Sequence, residues 1–149
     1  MSDLPNYEEI PAPAPQLVPQ SREAEEAVLG AVLINPEAYY DVAQFLRADD
    51  FYIHRHQWIW EAYMRLHERR TPIDFLTVTE ELDKAGQLAE VGGPAYLTGL
   101  INNVPTSLHA EAYGRIVEQT SIRRKMLTAA NEIAKLAYQE ESGLDTVMD

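Results

Sequence analysis

The chain of 149 residues lacks cysteine altogether, which excludes disulfide bridges and thiolate metal sites. It also lacks any apolar run close to the roughly 18 residues that a membrane-spanning helix needs. Its start carries no basic segment followed by an apolar one, so no secretion signal is predicted. We therefore expect a cytoplasmic protein without a membrane partner.

Basic residues are scarce, since 12 Lys and Arg stand against 24 Asp and Glu, for a net charge of −12. DNA binding depends on cations that displace counterions from phosphates, so this balance argues against direct contact with nucleic acid. The charge is uneven: residues 1–107 hold 7 basic and 17 acidic side chains, and residues 108–138 hold 5 and 3. The sequence predicts an acidic body with one mildly basic arm.

Patterns for catalysis and cofactor binding are also missing. Gly92-Gly93 lacks the lysine and the serine or threonine of a phosphate-binding loop. His54 and His56 are two residues apart, which places them on different sides of a helix and does not suit a metal site. The carboxylate pairs at 49–50 and 80–81 are typical of a solvated turn and a solvated helix face. No catalytic, cofactor-binding or metal-binding residue is predicted.

The apolar residues recur at helical spacing and nowhere alternate as in a strand, so the fold is predicted to be all-α. Residues 1–20, with five prolines, are predicted to form a disordered or polyproline-like acidic tail. A compact multi-helix head is predicted over residues 21–106, and its first helix begins at Ser21, a good N-cap. Further head helices are predicted over 36–46, over 54–69, between a cap at Asp74 or Thr77 and a stop at Gly86, and over 95–102.

Inward-facing residues of the fourth head helix are predicted to be Phe75, Val78 and Leu82. After the head, the sequence from Thr106 or Ser107 to about Tyr138 contains no proline. This predicts a helix of roughly 32 residues and nearly 50 Å, at about 1.5 Å per residue. Such a helix is too long for the head to cover, so part of it must project.

The near part of this helix is expected to dock onto the head through Tyr113, Ile116 and Val117. Ser142-Gly143 predicts a turn, and residues 144–149 look like the start of a second arm. Residues 107–149 are therefore predicted to form a helical hairpin, with residues 107–138 as its first arm. Because the return arm is cut short, we expect the chain to be a fragment.

The far part of the long helix carries a 4-3-4-3 apolar pattern, which is typical of a helix–helix seam. The seam residues are Ile122, Met126, Ala129, Ile133 and Leu136. An apolar seam beyond its own head needs a partner: the second arm, another copy of the chain or a different protein. The cluster Arg123-Arg124-Lys125 fans around the helix, which indicates a solvated or ion-paired segment rather than a phosphate-binding stripe.

Several blocks in register resemble the N-terminal domain of the bacterial replicative helicases of the DnaB family. They cover most of the chain from about residue 18 onward. The blocks are residues 19–33 (PQSREAEEAVLGAVL), Asp50-Phe51-Tyr52 with His56, Pro72-Ile73-Asp74, residues 77–82 (TVTEEL), Gly92-Gly93 with Tyr96-Leu97, Val104-Pro105-Thr106, and residues 113–118 (YGRIVE) running into Arg123 or Arg124. The sequence departs from the family at Arg70, where glycine is frequent, and at His109, where asparagine is frequent.

The resemblance implies a helical head followed by a helical hairpin that assembles and recruits but does not catalyse. It implies self-association as dimers that form a trimeric collar, docking of a DnaG-type primase and an influence on a helicase loader. It also implies an ATP- and Mg-dependent motor in a separate C-terminal domain that this chain does not include. DNA replication is the expected process.

Eight residues are predicted to carry partner contacts. On the hairpin, Leu127 and Ile133 are predicted to bind primase, and Glu23 and Tyr96 are candidates on the head. Packing within the hairpin or dimer is predicted for the remaining seam residues, Ile122, Met126, Ala129 and Leu136.

Two rival hypotheses about the function remain: a weak DNA-binding domain, and a free-standing all-α adaptor or enzyme.

Overall fold

The computed structural model describes residues 17–139, and every regular element in that range is helical. The seven α-helices are α1 (Arg22–Ile34), α2 (Ala38–Ala43), α3 (His54–Glu68), α4 (Phe75–Lys84), α5 (Leu88–Val91), α6 (Gly93–Asn103) and α7 (Ala110–Tyr138). Two 3-10 turns, Ala48–Asp50 and Ser107–His109, precede α3 and α7. The predicted all-α fold is confirmed. Most of the predicted tail and the predicted hairpin turn with its second arm lie outside the described residues.

Helix α1 lies at the centre of the head and contacts α3, α6 and α7. It begins as predicted, because the Ser21 hydroxyl accepts a hydrogen bond from the Ala24 amide at 3.2 Å. Gly30 allows α6 to approach closely: a Cβ there would lie 2.3 Å from the Leu100 carbonyl oxygen and 2.2 Å from Val104 Cγ2. Any larger residue at position 30 would push the two helices apart.

The aromatic part of the core forms around α3. Trp60 and Tyr63 are buried on this helix and pack edge to face, with ring centroids 5.9 Å apart. The Tyr63 hydroxyl donates to the Leu29 carbonyl at 2.8 Å, which satisfies a polar group inside the core. Burial raises the pKa of Tyr63 well above its ordinary value, so the phenol stays neutral and continues to donate.

Several head boundaries differ from the prediction. Helix α2 occupies residues 38–43 rather than 36–46, because the Asn35 carbonyl closes a turn onto the Ala38 amide before the helix begins. Helix α5 was not predicted, and the long helix proper starts at Ala110 after a 3-10 turn. Asp74 caps α4 in a capping box with Thr77, but Phe75 is 36% exposed, so the prediction that it faces inward is wrong.

The two positions that depart from the family pattern are both turn or cap positions. Arg70 has φ of 58°, the left-handed conformation that glycine adopts without strain. His109 is the N-cap of α7 and makes no side-chain cap, whereas an asparagine there is a good cap. Neither departure disturbs a core position.

Glu81 on α4 forms a buried ion-pair cluster with α3, so the interpretation of residues 80–81 as a solvated face is wrong for this carboxylate. It is 7% exposed, and it accepts from Arg65 Nε at 2.9 Å and from both terminal nitrogens of Arg69. The hydrogen bonds from Arg69, followed by those from Arg65, lower the pKa of Glu81 to about 2 against the effect of burial. Glu80 remains at the surface with Lys84.

Candidate functional site

Helix α7 has a head-docked half, residues 110–121, and a projecting half, residues 122–138, which we call the arm. In the head-docked half, Ala110, Gly114, Val117 and Ser121 are buried in a 4-3-4 pattern. Ile116, predicted to dock, is 42% exposed, so that prediction is wrong. No residue of the arm is buried in the described structure.

The arm exposes large apolar side chains. Met126 is 65% exposed, Ile133 64% and Ile122 49%. At about 100° per residue the five seam residues lie within about 80° of one another. The buried face of α7 can be extended along the arm in the same helical register. The positions on this extension are polar: Thr128, Glu132 and Lys135. The seam is therefore turned away from the head by about 120°.

Leu127 and Ile133, both predicted to bind primase, do not share a face. Six residues separate them, which places them about 120° apart around α7. Leu127 is 47% exposed on a side of the arm that also holds Ala134 and Tyr138. Leu136 is half-buried, unlike the other seam residues. The arm thus presents two apolar faces, the seam and the Leu127 face.

A buried carboxylate fixes the arm where it leaves the head. Asp50 is 6% exposed and accepts from Ser121 Oγ at 2.7 Å and from Lys125 Nζ at 3.3 Å. Its other oxygen accepts from the Arg47 amide at 2.7 Å, which closes the 3-10 turn. The expectation of a solvated pair at 49–50 is therefore wrong for Asp50 and fits only Asp49. We call Asp50, Ser121, Arg124 and Lys125 the anchor.

Arg124 completes the anchor about 100° around the helix from Lys125, on the other flank of the head-facing line. Its guanidinium donates to the Asp50 carbonyl at 2.6 Å and to the Pro19 carbonyl at 2.9 Å, and it lies 5.3 Å from the Tyr52 ring centroid. Arg123 points outward. Two of the three clustered cations therefore attach the arm to the head and do not form a surface for phosphates.

Of the two head candidates, Tyr96 lies at a cleft of about 370 Å³ between α1 and α6, which we call the α1/α6 cleft. Tyr96 lines it together with Arg22 and Glu26, and these two form an ion pair at 2.8 Å. Glu23 is exposed one turn before Glu26 on the same side of α1. The structure thus places Tyr96 at the cleft and Glu23 on the exposed first turn of α1, outside the residues that line it.

Behind the cleft lies a buried polar network. Glu25, fully buried, accepts from the amides of Tyr52 and Ile53 at 3.0 and 3.2 Å and lies 2.9 Å from His56 Nδ1. His56 is also fully buried, and its Nε2 lies 2.6 Å from the Tyr96 hydroxyl. The pairing of Glu25 with His56 was not predicted from the sequence.

A signal for this network was present in the sequence. Glu25 stands three and four residues before Val28 and Leu29, on an apolar face of α1. His56 stands three and four residues before Ile59 and Trp60 in the same way. A polar residue in an apolar row needs a buried partner, so each position indicates a buried polar contact without naming the residue that supplies it.

Over residues 17–139 no cluster of His, Cys, Asp and Glu is suited to hold a metal ion, and no helix is long and apolar enough to cross a membrane. Gly92 and Gly93 have φ of 109° and 70° and form the turn that starts α6, with Pro94 in its first positions. This is a helix entrance and not a phosphate loop.

A family model of the DnaB-like helicase N-terminal domain matches residues 17–119, the whole head and most of the head-docked half of α7. The chain belongs to this family. It is 42% identical to the replicative DNA helicase DnaB of Geobacillus stearothermophilus over 134 residues, which are 90% of this chain and 30% of that protein. It is also 42% identical to the replicative helicase DnaC of Bacillus subtilis over 133 residues, covering 89% and 29%. The chain thus spans about a third of the length of these relatives.

Solved structures show the same fold. The N-terminal domain of DnaB helicase from Mycobacterium tuberculosis is 38% identical, with a TM-score of 0.80 over 82% of this chain and 87% of that one. The N-terminal domain of DnaB helicase from Helicobacter pylori, described with its interactions with primase, is 26% identical, with a TM-score of 0.68 over 78% and 91%. The resemblance inferred from the sequence blocks is therefore confirmed.

Proposed function

We propose that this chain is the N-terminal oligomerisation and primase-docking domain of a replicative DNA helicase. The observation that carries the proposal is the arm, whose large apolar side chains stay exposed on two faces. Contiguous exposed apolar surface marks an interaction site. The H. pylori relative, described with its interactions with primase, supports primase as one partner.

The two faces of the arm suit two partners. The seam has the spacing of helix–helix packing, so we assign it to self-association, within a hairpin or between copies in a dimer. Each fully buried Ile or Met side chain contributes roughly 1.5–3 kcal/mol, so a few seam residues suffice to drive association. Three such dimers would form the collar of a hexamer.

We assign the Leu127 face to primase because the base of the arm, one turn away, contacts the segment that leads into α1. Arg124, one turn before Leu127, donates to the Pro19 carbonyl next to the N-terminal turn of α1. Arg22 in that turn pairs with Glu26 at the α1/α6 cleft. On this basis Leu127, Glu23 and Tyr96 are assigned to primase together.

The parent protein is proposed to unwind DNA at the replication fork in the cytoplasm. Its motor, with ATP and Mg as cofactors, would belong to a C-terminal domain, and the present domain would hold no cofactor itself. A loader protein is a further candidate partner of the assembled collar. The net charge of −12 supports docking of proteins over docking of DNA.

Titration of the chain with the DnaG-type primase of the same organism tests the proposal. We expect Leu127→Asp to weaken binding at least tenfold, about 1.4 kcal/mol, because a charge would enter a desolvated contact. Leu108→Asp is the matched control, since Leu108 is 86% exposed and lies off the arm. Unchanged primase affinity in Leu127→Asp, with circular dichroism retained, would contradict the assignment of this face.

Light scattering separates self-association from primase binding. We expect Met126→Asp to reduce the solution mass of the chain while primase affinity per chain is retained. Ile133→Asp decides whether Ile133 acts in self-association or in primase binding, since the sequence predicts it both as a seam residue and as a primase contact. A salt-dependent shift of single-stranded DNA by the chain alone would favour the rival DNA-binding hypothesis.

A further inference from the structure

The sign of the local charge changes where α7 leaves the head. Residues 17–121 hold 8 basic and 16 acidic side chains, whereas the arm holds four basic and one acidic. Residues 1–16, which precede the described range and which we call the N-terminal segment, hold three acidic side chains and no basic one. Electrostatics therefore repels the N-terminal segment from the head and attracts it to the arm.

The cations of the arm collect around Leu127. At about 100° per residue, the basic Arg123, Arg124 and Lys135 all lie within about 80° of it. The one acidic residue of the arm, Glu132, lies about 140° from it. In the described part of the chain these three cations have no carboxylate partner, since Arg124 donates to two carbonyls and the other two are exposed. The Leu127 face is thus an apolar strip bordered by uncompensated positive charge.

The N-terminal segment joins the described chain at the base of the Leu127 face. Arg124, three residues before Leu127, donates to the Pro19 carbonyl at 2.9 Å, which holds the chain against the arm just before α1. Leu17 is 89% exposed and Val18 46%, so the apolar side chains at this junction are also without cover among the described residues. The N-terminal segment therefore starts within a few residues of a contact with the arm.

Length and spacing allow the N-terminal segment to follow the arm. The arm extends roughly 21 Å from Arg124 to Tyr138 at about 1.5 Å per residue, and 16 residues span up to about 50 Å as a polyproline helix. Three residues make one turn of such a helix, so apolar residues at every third position would share one face. The residues with this spacing are Leu4, Tyr7, Ile10 and Pro13. The N-terminal segment can therefore place an apolar row on Leu127 and its acidic residues beside the bordering cations.

We infer that the N-terminal segment of this chain lies along the Leu127 face, where its apolar row covers Leu127 and its carboxylates contact the bordering cations. A tethered segment has an effective concentration on the order of 1 mM, so even an affinity of that order covers the face about half of the time. A partner that binds the Leu127 face must displace the segment. The inference rests on the proposed function only in that this partner is primase, for which the segment is an intramolecular competitor.

A spin label on the N-terminal segment tests the contact without any partner. Because the chain lacks cysteine, Ala12→Cys gives a single labelling site. We expect the label to broaden the methyl NMR signals of Leu127 more than those of Ile122 and Ile133, which lie about 140° and 120° from Leu127 around α7. Unbroadened Leu127 signals, or equal broadening of all three residues, would overturn the inference.

Mixing two preparations separates the chain's own N-terminal segment from that of a second copy. Spin-labelled chain without isotopes is mixed with isotope-labelled chain that carries no spin label, and we expect the Leu127 signals to stay sharp. Broadening in this mixture as strong as that in the spin-labelled chain itself would show that a second copy supplies the segment, and the inference would be wrong.

Charge reversal tests the electrostatic part of the contact. In the spin-labelled chain, Glu8→Lys together with Glu9→Lys should remove most of the broadening of Leu127, because attraction to the arm becomes repulsion. Asp83→Lys together with Glu90→Lys is the matched control, since it makes the same change of net charge at exposed positions of α4 and α5, which pack against α3 and α6. Equal loss of broadening in the two variants would contradict a specific contact.

Titration with DnaG-type primase measures the competition. We expect Glu8→Lys together with Glu9→Lys to bind primase about twofold to fivefold more tightly, because a face that is open only about a fifth to a half of the time loses affinity by the inverse of that fraction. The control variant should bind as the unmodified chain does. Equal primase affinity in all three chains would refute the competitor role. Broadening that responds to charge reversal, without primase binding by any of these chains, would support the contact and refute the proposed function alone.

Discussion

Hydrophobicity alone would predict that α7 buries its larger apolar side chains and exposes its smaller ones. The two halves of α7 show the opposite. The head-docked half buries small residues, Ala110, Gly114 and Ser121, with Val117 as the one larger side chain among them and Tyr113 partly buried against the core. The arm carries larger apolar side chains that stay exposed, such as Met126. Small residues let α7 approach the head, since a Cβ on Gly114 would lie 3.1 Å from the side chains of Phe45 and Val42. The large apolar residues of α7 therefore stay exposed on the arm, where the proposed partners would contact them.

The change from one half to the other takes place at the anchor. Ser121 is the last buried residue of α7, and the hydrogen bonds of Asp50 to Ser121 and Lys125 span the boundary. Beyond it the line facing the head turns polar. The length of the docked segment is therefore set by one buried carboxylate together with a change of side-chain chemistry.

The largest expected effect on the free energy of unfolding comes from placing an aspartate in each half of α7 in turn. Val117→Asp should lower the free energy of unfolding by more than about 4 kcal/mol, because an unpaired carboxylate would be buried. Ile133→Asp should change it by no more than about 0.5 kcal/mol, because position 133 is exposed. Urea unfolding followed by circular dichroism measures both. Equal losses would mean that the arm is covered in the isolated chain.

Sequence patterns were sufficient where the cause is local. The Ser21 cap, the end of α7 at Tyr138 and the spacing of the seam follow from neighbours within one or two helical turns. The short helix α5 was missed because its four residues make too little apolar periodicity to register.

The polar partners in the head could not be assigned from patterns alone. Asp50 and Ser121 are 71 residues apart, Glu25 and His56 are 31 apart, and Glu81 meets Arg65 across 16. Local spacing indicates that a polar residue lies on an apolar face, but it does not name the residue that satisfies it. The same limit applies to Leu127, whose side of the arm matters only once the head is in place.

The anchor should give the second largest effect. Asp50→Asn removes the charge that Ser121 and Lys125 share, and we expect a loss of about 2 kcal/mol. Amide hydrogen exchange should rise in α7 around residues 117–125 while α3 stays protected. Asp49→Asn is the matched control, because Asp49 is exposed. Equal exchange in the two variants would show that the carboxylate does not hold the arm.

Acid should weaken the head through Glu81. Its pKa is about 2 when folded and 4.5 when free, so its stabilising contribution is complete above pH 4.5 and is lost as the pH falls toward 2. We expect Glu81→Gln to be less stable than the unmodified chain by about 1–2 kcal/mol near pH 6, after allowance for the half-exposed Arg69. This difference in stability should become smaller between pH 4.5 and 3. Glu80→Gln should be as stable as the unmodified chain throughout. A stability difference between Glu81→Gln and the unmodified chain that does not change with pH would contradict an ionised Glu81 in the folded head.

The smallest effect concerns the ion pair at the boundary of the two halves. Lys125 contacts Asp50 at 3.3 Å, but its side chain is 64% exposed, so Lys125→Ala should cost only about 0.5 kcal/mol. Arg123→Ala is the matched control: Arg123 is exposed two residues earlier, has a similar helix propensity and forms no ion pair within residues 17–139. Raising the salt concentration should remove the difference between the two variants, because an exposed pair is screened. A difference that persists in high salt would show that Lys125 holds the arm by packing of its aliphatic stem, and the anchor would then depend on Ser121 and Arg124 for its polar contacts.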